Sequence, residues 1–330
     1  VLWNVELQRS GPGLLLRDIA RGDDPQVAAI VAVLARLDAD IVVLTNLDHD
    51  PALHALSALE DRLRQAGHPY RHLYAPRPNS GQPTGFDVDG DEQAHGAGDA
   101  QSWGRFPGQG GMAVLSRLPL QAGAAQDFTG FLWADLPQAN LPPGMDPGLA
   151  AIQRLPSHSH VILPVRLPGD RPLSLMLWHA SPPVFDGADD RNGRRNADEA
   201  AFWRHLLDGR LPLPPPEPPF LLMGSANLDP VDGDGRPEAL QALLHHPALA
   251  DPAPRGTHAR QEPGHRGDPA QDTALFPQTG GLRLEYVLPS RDLRISGSGV
   301  LWPPATDPLT ATLQAASRHY PVWLDVDVPD

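Results

Sequence analysis

The feature that most restricts the fold is a series of short apolar runs, each ending in a cluster of polar residues. Residues 41–44 run into Thr45-Asn-Leu-Asp48, residues 173–178 close on His179, and residues 220–223 open into Gly224-Ser-Ala-Asn227-Leu-Asp229. Continuous apolar runs this short predict buried strands. Further strands are predicted over 1–7, 72–75, 112–115, 161–165, 282–288, 293–300 and 321–326. Between them, residues 26–37, 51–66, 196–207, 238–244 and 310–316 carry apolar side chains at helical spacing. Strands and helices mixed along the whole chain predict an α/β (α+β) architecture.

The chain has 39 prolines and 31 glycines, clustered between the periodic segments, which predicts long ordered loops on a rigid frame. Two such loops are expected, at about 76–111 and 249–281. The Pro-rich stretch 211–219 lies between a helix and a strand, where one α/β domain also places a loop. No internal repeat and no linker between two cores is visible, so residues 1–330 read as a single domain.

Hydrophobic residues make up 41% of the 330, enough for a substantial core. The net charge of −14 with neutral His would repel a phosphate backbone, which calls for a basic face. Extended nucleic acid is therefore not the expected partner. With no cysteine, disulfide and thiolate chemistry are excluded. No run approaches the roughly 20 apolar residues of a membrane span. The sequence starts at Val1, already inside a strand, so a signal peptide, if one existed, is removed or not included; with the acidic composition, a secreted or periplasmic location is the expectation.

Polar residues gather where strands end: Asn4-Val-Glu6, Thr45-Asn-Leu-Asp48, Trp178-His179, Gly224-Ser-Ala-Asn227-Leu-Asp229, Arg283-Leu-Glu285-Tyr and Ser317-Arg-His319. Functional groups collect at such ends in α/β folds. Each cluster alone also reads as a turn or a core histidine; six together read as one site. Asp87-Val-Asp-Gly-Asp91, with Asp99 further on, alternates carboxylates like the opening of a calcium loop. It suggests Ca2+ at Asp87, Asp89 and Asp91 bracing the first long loop, against the alternative of a solvated acidic turn. Glu92 stands where such loops carry Gly. Three arginines in Asp189-Asp-Arg191-Asn-Gly-Arg194-Arg195-Asn196 suggest anion binding, with Arg195 and Asn196 as the expected substrate contacts; a helix terminus with paired surface charges is the alternative. There is no HExxH and no phosphate-cradling glycine loop before a helix.

The order of these motifs resembles the endonuclease/exonuclease/phosphatase superfamily over nearly the whole chain. The resemblance begins with Asn4 and passes through Gly111-Met-Ala-Val-Leu-Ser-Arg-Leu-Pro119, which is similar to the family's GxAxLSRxP segment. It continues through Trp178-His179, Gly224-Ser-Ala-Asn227 and Leu284-Glu-Tyr-Val287 to Ser317-Arg-His319. It implies a four-layer sandwich of two mixed β-sheets flanked by helices, with the site at one edge. It implies a divalent-metal-dependent phosphoester hydrolase using Mg2+ or Mn2+ on a small phosphorylated substrate. By the resemblance, His319 is the general base or steadies the attacked phosphate, Glu285 orients it, His179 donates to a phosphate oxygen, and Asn227 binds the phosphate or the attacking water. Asn4 helps place the metal, and Ser225 falls within reach of the substrate.

The sequence departs from that pattern. Asn46 stands where the family carries its main metal-binding Glu, Ser225 replaces the carboxylate of GDxN, Arg318 replaces the carboxylate of SDH, and Glu285 stands where Asp is usual. Mg2+ favours one or two carboxylates plus water, so weaker metal binding is expected unless Glu6, Asp48 or Asp229 joins Asn4 and Asn46. Two alternatives stay open: a catalytically impaired relative that binds a ligand or partner, and a nuclease, against which the charge weighs.

Overall fold

The computed structural model describes residues 1–328. In chain order the strands are β1 (Leu2–Leu7), β2 (Ile41–Leu47), β3 (His72–Tyr74), β4 (Gly111–Ser116), β5 (Gln126–Asp127), β6 (His160–Leu167) and β7 (Arg171–His179). They continue with β8 (Phe220–Ser225), β9 (Ala274–Phe276), β10 (Gly280–Leu282), β11 (Glu285–Pro289), β12 (Arg294–Val300) and β13 (Val322–Asp327). The helices are α1 (Leu14–Arg21), α2 (Pro25–Leu37), α3 (His54–Gln65), α4 (Pro147–Ala150), α5 (Arg191–Leu207), α6 (Glu238–Leu244) and α7 (Leu309–Ala316).

Six strands form one sheet in the order β12-β13-β1-β2-β4-β3, five form a second in the order β11-β8-β7-β6-β5, and β9 and β10 form a separate ribbon. Both large sheets are mixed. The parallel pairs β1–β2 and β7–β8 are those whose connections carry helices, α1 and α2 in one case and α5 in the other, as parallel neighbours require.

The alternation of side chains along the second sheet explains the layering. Leu175, Leu177, Met223 and Val287 face the core shared with the first sheet. Their neighbours Met176, Trp178, Leu222, Tyr286 and Leu288 face the opposite way, against Phe202, Trp203 and Leu206 of α5 and Leu240 and Leu243 of α6. A strand with a two-residue period that is apolar on both faces must be covered on both. The other side of the first sheet is covered by α2 and α3 through Val27, Ile30, Val33, Leu34, Leu56 and Leu59. The result is the four-layer sandwich the motif order implied. Burying each of these large side chains contributes roughly 2 kcal/mol.

Local signals set the helix ends. Asp24 caps α2 by accepting from the Val27 N–H at 2.9 Å, with Pro25 in the first turn, and the chain leaves through Asp38 at φ 48°. Helix α5 begins at Arg191, ahead of the expected residue 196, so the arginine cluster lies within the helix. Helix α1 was not legible in the apolar spacing; it is short and bracketed by Gly13 and Gly22, both left-handed. The loop 249–281 also carries the unexpected ribbon of β9 and β10. Among the described residues no helix is long and apolar enough to cross a membrane.

Candidate active site

The ends of β1 and β2 from one sheet meet those of β7, β8 and β11 from the other. The two sheets touch through a hydrogen bond between the buried hydroxyls of Thr45 and Ser225, 2.8 Å apart. Ser225 also lies 3.3 Å from Glu285 Oε1, and that oxygen is 2.8 Å from His319 Nδ1. The second Glu285 oxygen accepts from Thr273 Oγ1, which itself receives the N–H groups of Leu284 and Glu285 at 2.8 and 3.1 Å. Glu285 is fully buried and His319 nearly so. The His319 backbone is held by the Trp3 indole, which donates to its carbonyl at 2.8 Å. Burial works against charge on His319, but Glu285 and Glu6 outweigh it and hold its pKa above 6.5.

His179 ends β7 and stacks on His158 with ring centres 3.8 Å apart. Burial, reinforced by His158 and His319, pushes its pKa well below 6.5, so it is neutral. Its Nδ1 is buried without a hydrogen-bond partner among the described residues. Asn227 directs its amide N–H to the Ala180 carbonyl at 2.7 Å.

Adjacent bulges shape the floor. The β1–β2 register shifts between Asn4 and Leu7, and the β2–β4 register shifts between Thr45 and Leu47. Inside those shifts Glu6 and Asn46 have φ of 48° and 62°, and Asn227 at the end of β8 has 52°. Left-handed backbone at non-glycine residues is costly and gathers at functional sites, as do bulges. Gly110, at φ 66°, packs where a Cβ would stand 2.8 Å from Asn46 Oδ1, so the exit of the first long loop is pressed against this floor.

Of the three carboxylates that could replace lost metal ligands, Glu6 is paired with a cation, whereas Asp48 and Asp229 accept backbone N–H groups. Glu6 Oε1 accepts from Arg318 Nε at 2.8 Å and from its Nη2, while Oε2 accepts from the Arg318 N–H at 2.8 Å and from Ser317 Oγ at 3.2 Å. Burial opposes the charge on Glu6, yet Arg318 and His319 outweigh it and hold its pKa below 4.5. Asp48 accepts from the N–H groups of Gly110 and Arg9 at 3.0 and 2.8 Å, and burial raises its pKa to about 6. Asp229 accepts from the N–H groups of Val231, Asp232 and Arg283 at 2.7, 2.8 and 2.7 Å. Asn4 and Asn46 offer neutral amide oxygen and Glu6 is paired with Arg318, a weaker donor set for Mg2+ or Mn2+ than the one or two free carboxylates these ions favour.

Arg195 and Asn196 are placed under the site. The Arg195 guanidinium donates to four backbone carbonyls, those of Leu155, Gln101, Arg154 and Pro156, at 2.6–3.1 Å. Asn196 Nδ2 donates to the carbonyls of Ser181 and Ala226, both at 2.7 Å, tying the segment after β7 to that after β8. In the acidic loop, Asp91 accepts from the Gln93 N–H at 2.9 Å, and the carboxylates that converge are those of Asp87, Asp89 and Asp99. Sequence reasoning passed over Thr273 and His158; Thr273 sits in a stretch read as plain loop.

A family model described as the Endonuclease/Exonuclease/phosphatase family matches residues 1–319, and the chain belongs to that family. No curated protein matches the sequence. Among solved structures, an endonuclease/exonuclease/phosphatase from Beutenbergia cavernae is similar at 21% identity and a TM-score of 0.56, over 99% of this chain and 70% of that one. Sphingomyelinase C from Streptomyces griseocarneus is similar at 17% and 0.51, over 97% and 96%. The mannosyl-6-phosphatase Bt3783 from Bacteroides thetaiotaomicron is similar at 13% and 0.50, over 99% and 98%. At these identities the likeness is one of fold.

Proposed function

We propose that the chain is a phosphoester hydrolase acting on a small phosphorylated compound, with His319 as its principal catalytic group. The observation that carries this reading is the buried His319–Glu285 pair, 2.8 Å apart. Glu285 occupies Nδ1 and leaves Nε2 as the working nitrogen. Glu285 and Glu6 favour the charged form of His319 against burial, and in that form it serves as a donor to a phosphoryl oxygen, where it offsets developing negative charge. Above its pKa the same nitrogen takes a proton from the attacking water as the water oxygen bonds phosphorus and the ester P–O bond breaks, and that proton then passes to the departing alkoxide. Neutral His179 offers a ring N–H to a second oxygen. Asn227, its N–H groups anchored on Ala180, presents Oδ1 to a water or hydroxyl. The names of two similar structures, a sphingomyelinase C and a mannosyl-6-phosphatase, are consistent with this substrate class.

A second reading, a ligand-binding relative without turnover, is favoured by the Glu6–Arg318 pair, which neutralises the Glu6 carboxylate. Turnover of a generic phosphodiester and a phosphomonoester, with and without Mg2+, Mn2+ or Ca2+, decides between them. Turnover lost in His319→Ala supports the hydrolase; no turnover above that variant under any condition supports the binding protein.

A further inference from the structure

The long loop 76–111 is built as two limbs that close on each other. Its limbs pair through bridges between Ser80 and Ser102 and between Pro83 and Ala100. Thr84 then binds the Asp99 carbonyl through both its N–H, at 3.1 Å, and its hydroxyl, at 2.6 Å. At the tip, one carboxylate oxygen from each of Asp87, Asp89 and Asp99 lies within 4.8 Å of the others. Asp87 and Asp89 are exposed. Asp87 accepts the N–H groups of Gly90 and Asp91 on Oδ1 at 2.7 and 3.2 Å and that of Glu92 on Oδ2 at 2.9 Å, which leaves Oδ2 a lone pair for a cation. Asp99 is only 1% exposed. One Asp99 oxygen accepts from the Val88 N–H at 2.8 Å; the other, Oδ2, is buried with no hydrogen-bond partner among the described residues.

A buried carboxylate oxygen without a partner, on a residue clustered with two further carboxylates, is costly unless a cation completes it. Arg191 reaches this loop but donates to the Val88 carbonyl and to Gln153 Oε1. The glycines of the returning limb make room for the oxygens: a Cβ on Gly98 would stand 2.0 Å from Asp89 Oδ2, and one on Gly96 3.0 Å from Asp99 Oδ2. Oxygens sharing one Ca2+ at about 2.3–2.6 Å lie at most about 5 Å apart, which the cluster satisfies.

We propose that Asp87, Asp89 and Asp99 form a calcium site at the tip of this loop. The ion joins the outgoing limb, which carries Asp87 and Asp89, to the returning limb, which carries Asp99. The same loop ends at Gly108 and Gly110, which hydrogen-bond to His49 and Asp48 beside the candidate active site, so calcium stiffens the rim of that site without entering it. Three carboxylates at irregular positions on a loop suit Ca2+, which accepts irregular coordination, better than Mg2+, which demands an octahedron.

The test uses the whole protein, stripped with EDTA and titrated with Ca2+ or Mg2+ by calorimetry and thermal melting. Saturating Ca2+ is expected to raise Tm by about 5 °C, with Mg2+ less effective. Asp89→Asn and Asp99→Asn lower Ca2+ affinity at least ten-fold, while Asp91→Asn and Glu6→Gln keep it. Asp99→Asn without calcium melts no lower than the stripped wild type, because it removes a buried charge. Absence of saturable Ca2+ binding overturns the site. So does binding indifferent to Asp89→Asn and Asp99→Asn, or binding lost in Glu6→Gln, which would place the ion at the active site instead.

Discussion

Arg318 closes on Glu6 from both its side chain and its backbone. Nε and the backbone N–H each lie 2.8 Å from one of the two carboxylate oxygens. The guanidinium also rests on the Phe276 ring, with Cζ 5.1 Å from the ring centre. A cation thus stands on Glu6, two residues along the chain from Asn4, where its charge opposes that of a divalent ion. Replacing it by Asn frees Glu6. Because the Arg318 side chain is 57% exposed, Arg318→Asn should cost less than about 1 kcal/mol of stability. Mn2+ affinity, read by calorimetry, should rise about ten-fold, equivalent to roughly 1.4 kcal/mol. Unchanged Mn2+ affinity would show that the ion pair is not what excludes metal.

Ser225 bridges Thr45 and Glu285, and this position decides how a restored carboxylate would behave. In Ser225→Asp the new charge faces Glu285 across the distance the hydroxyl now spans. Without metal, two carboxylates so close raise one another's pKa and destabilise the fold, by an expected 1–3 kcal/mol, roughly the cost of an uncompensated buried polar group. Added Mn2+ should recover much of that loss in denaturant melts of the variant and little in the wild type. Equal metal effects in both proteins would argue against a cation position between the sheets.

Glu285 and Glu6 hold the pKa of His319 above 6.5. Removing the Glu285 charge with Glu285→Gln leaves burial, which lowers it, as the largest influence. Inorganic phosphate is the probe: its binding to the wild type should weaken as pH rises through the raised pKa, where His319 loses its charge. In Glu285→Gln the same fall should begin at lower pH. If both proteins bind phosphate with the same pH profile, His319 is not the donor. Should turnover be found, His319→Ala should lower kcat by about 100-fold or more.

Arg195 shows how far a charge cluster in the sequence can mislead about location. Burial lowers its pKa only to about 10, so it stays cationic and serves four carbonyls around residues 101 and 154–156. Arg195→Met keeps the aliphatic bulk and leaves those carbonyls without their donor. Unsatisfied buried groups of this kind cost about 3 kcal/mol or more. That loss should appear in urea denaturation, with phosphate affinity of the folded variant unchanged. A ten-fold loss of phosphate affinity at full stability would instead make Arg195 a ligand contact.

The contrast between Glu285 and Glu6 separates what was legible in the sequence from what was not. The strands were legible because burial on both faces leaves continuous apolar runs, and the His319–Glu285 pair followed from motif order. Strand β8 runs to Ser225, past the expected end at residue 223, because Gly224 and Ser225 still pair with Tyr286 and Glu285; a run of apolar letters stops before the hydrogen bonds do. In the other direction, β11 starts only at Glu285, because Asp229 and Thr273 take the N–H groups of Arg283 and Leu284. The Glu6–Arg318 pair joins residues 312 positions apart through backbone twisted at a bulge. A regular strand would put Glu6 on the face of Asn4, two residues away, but the register shift between Asn4 and Leu7 breaks that regularity.

His160 sets the acid limit of the fold. It is fully buried, lies among the rings of Trp178, Phe202 and Trp203, and neither ring nitrogen has a hydrogen-bond partner among the described residues. Burial, aided by the charge of Arg195, lowers its pKa from 6.5 to about 3. A histidine held neutral in the fold contributes stability that is complete above its unfolded pKa and is lost as pH falls toward the folded one. The window is therefore 6.5 down to about 3. Glu199, whose nearer oxygen is 3.9 Å from His160, acts in the opposite sense. Burial raises its pKa from 4.5 to about 7, so its penalty is relieved as pH falls from 7 to 4.5. The two effects offset each other over part of the range, which makes a variant the clean readout. His160→Leu keeps an apolar side chain of similar size and removes only the histidine contribution. Its stability relative to wild type should grow by about 1.4 kcal/mol for each pH unit below 6.5. Urea melts at pH 7, 6, 5 and 4.5 measure that difference, and parallel stability curves for the two proteins would show that His160 is already charged, or solvated, in the folded state.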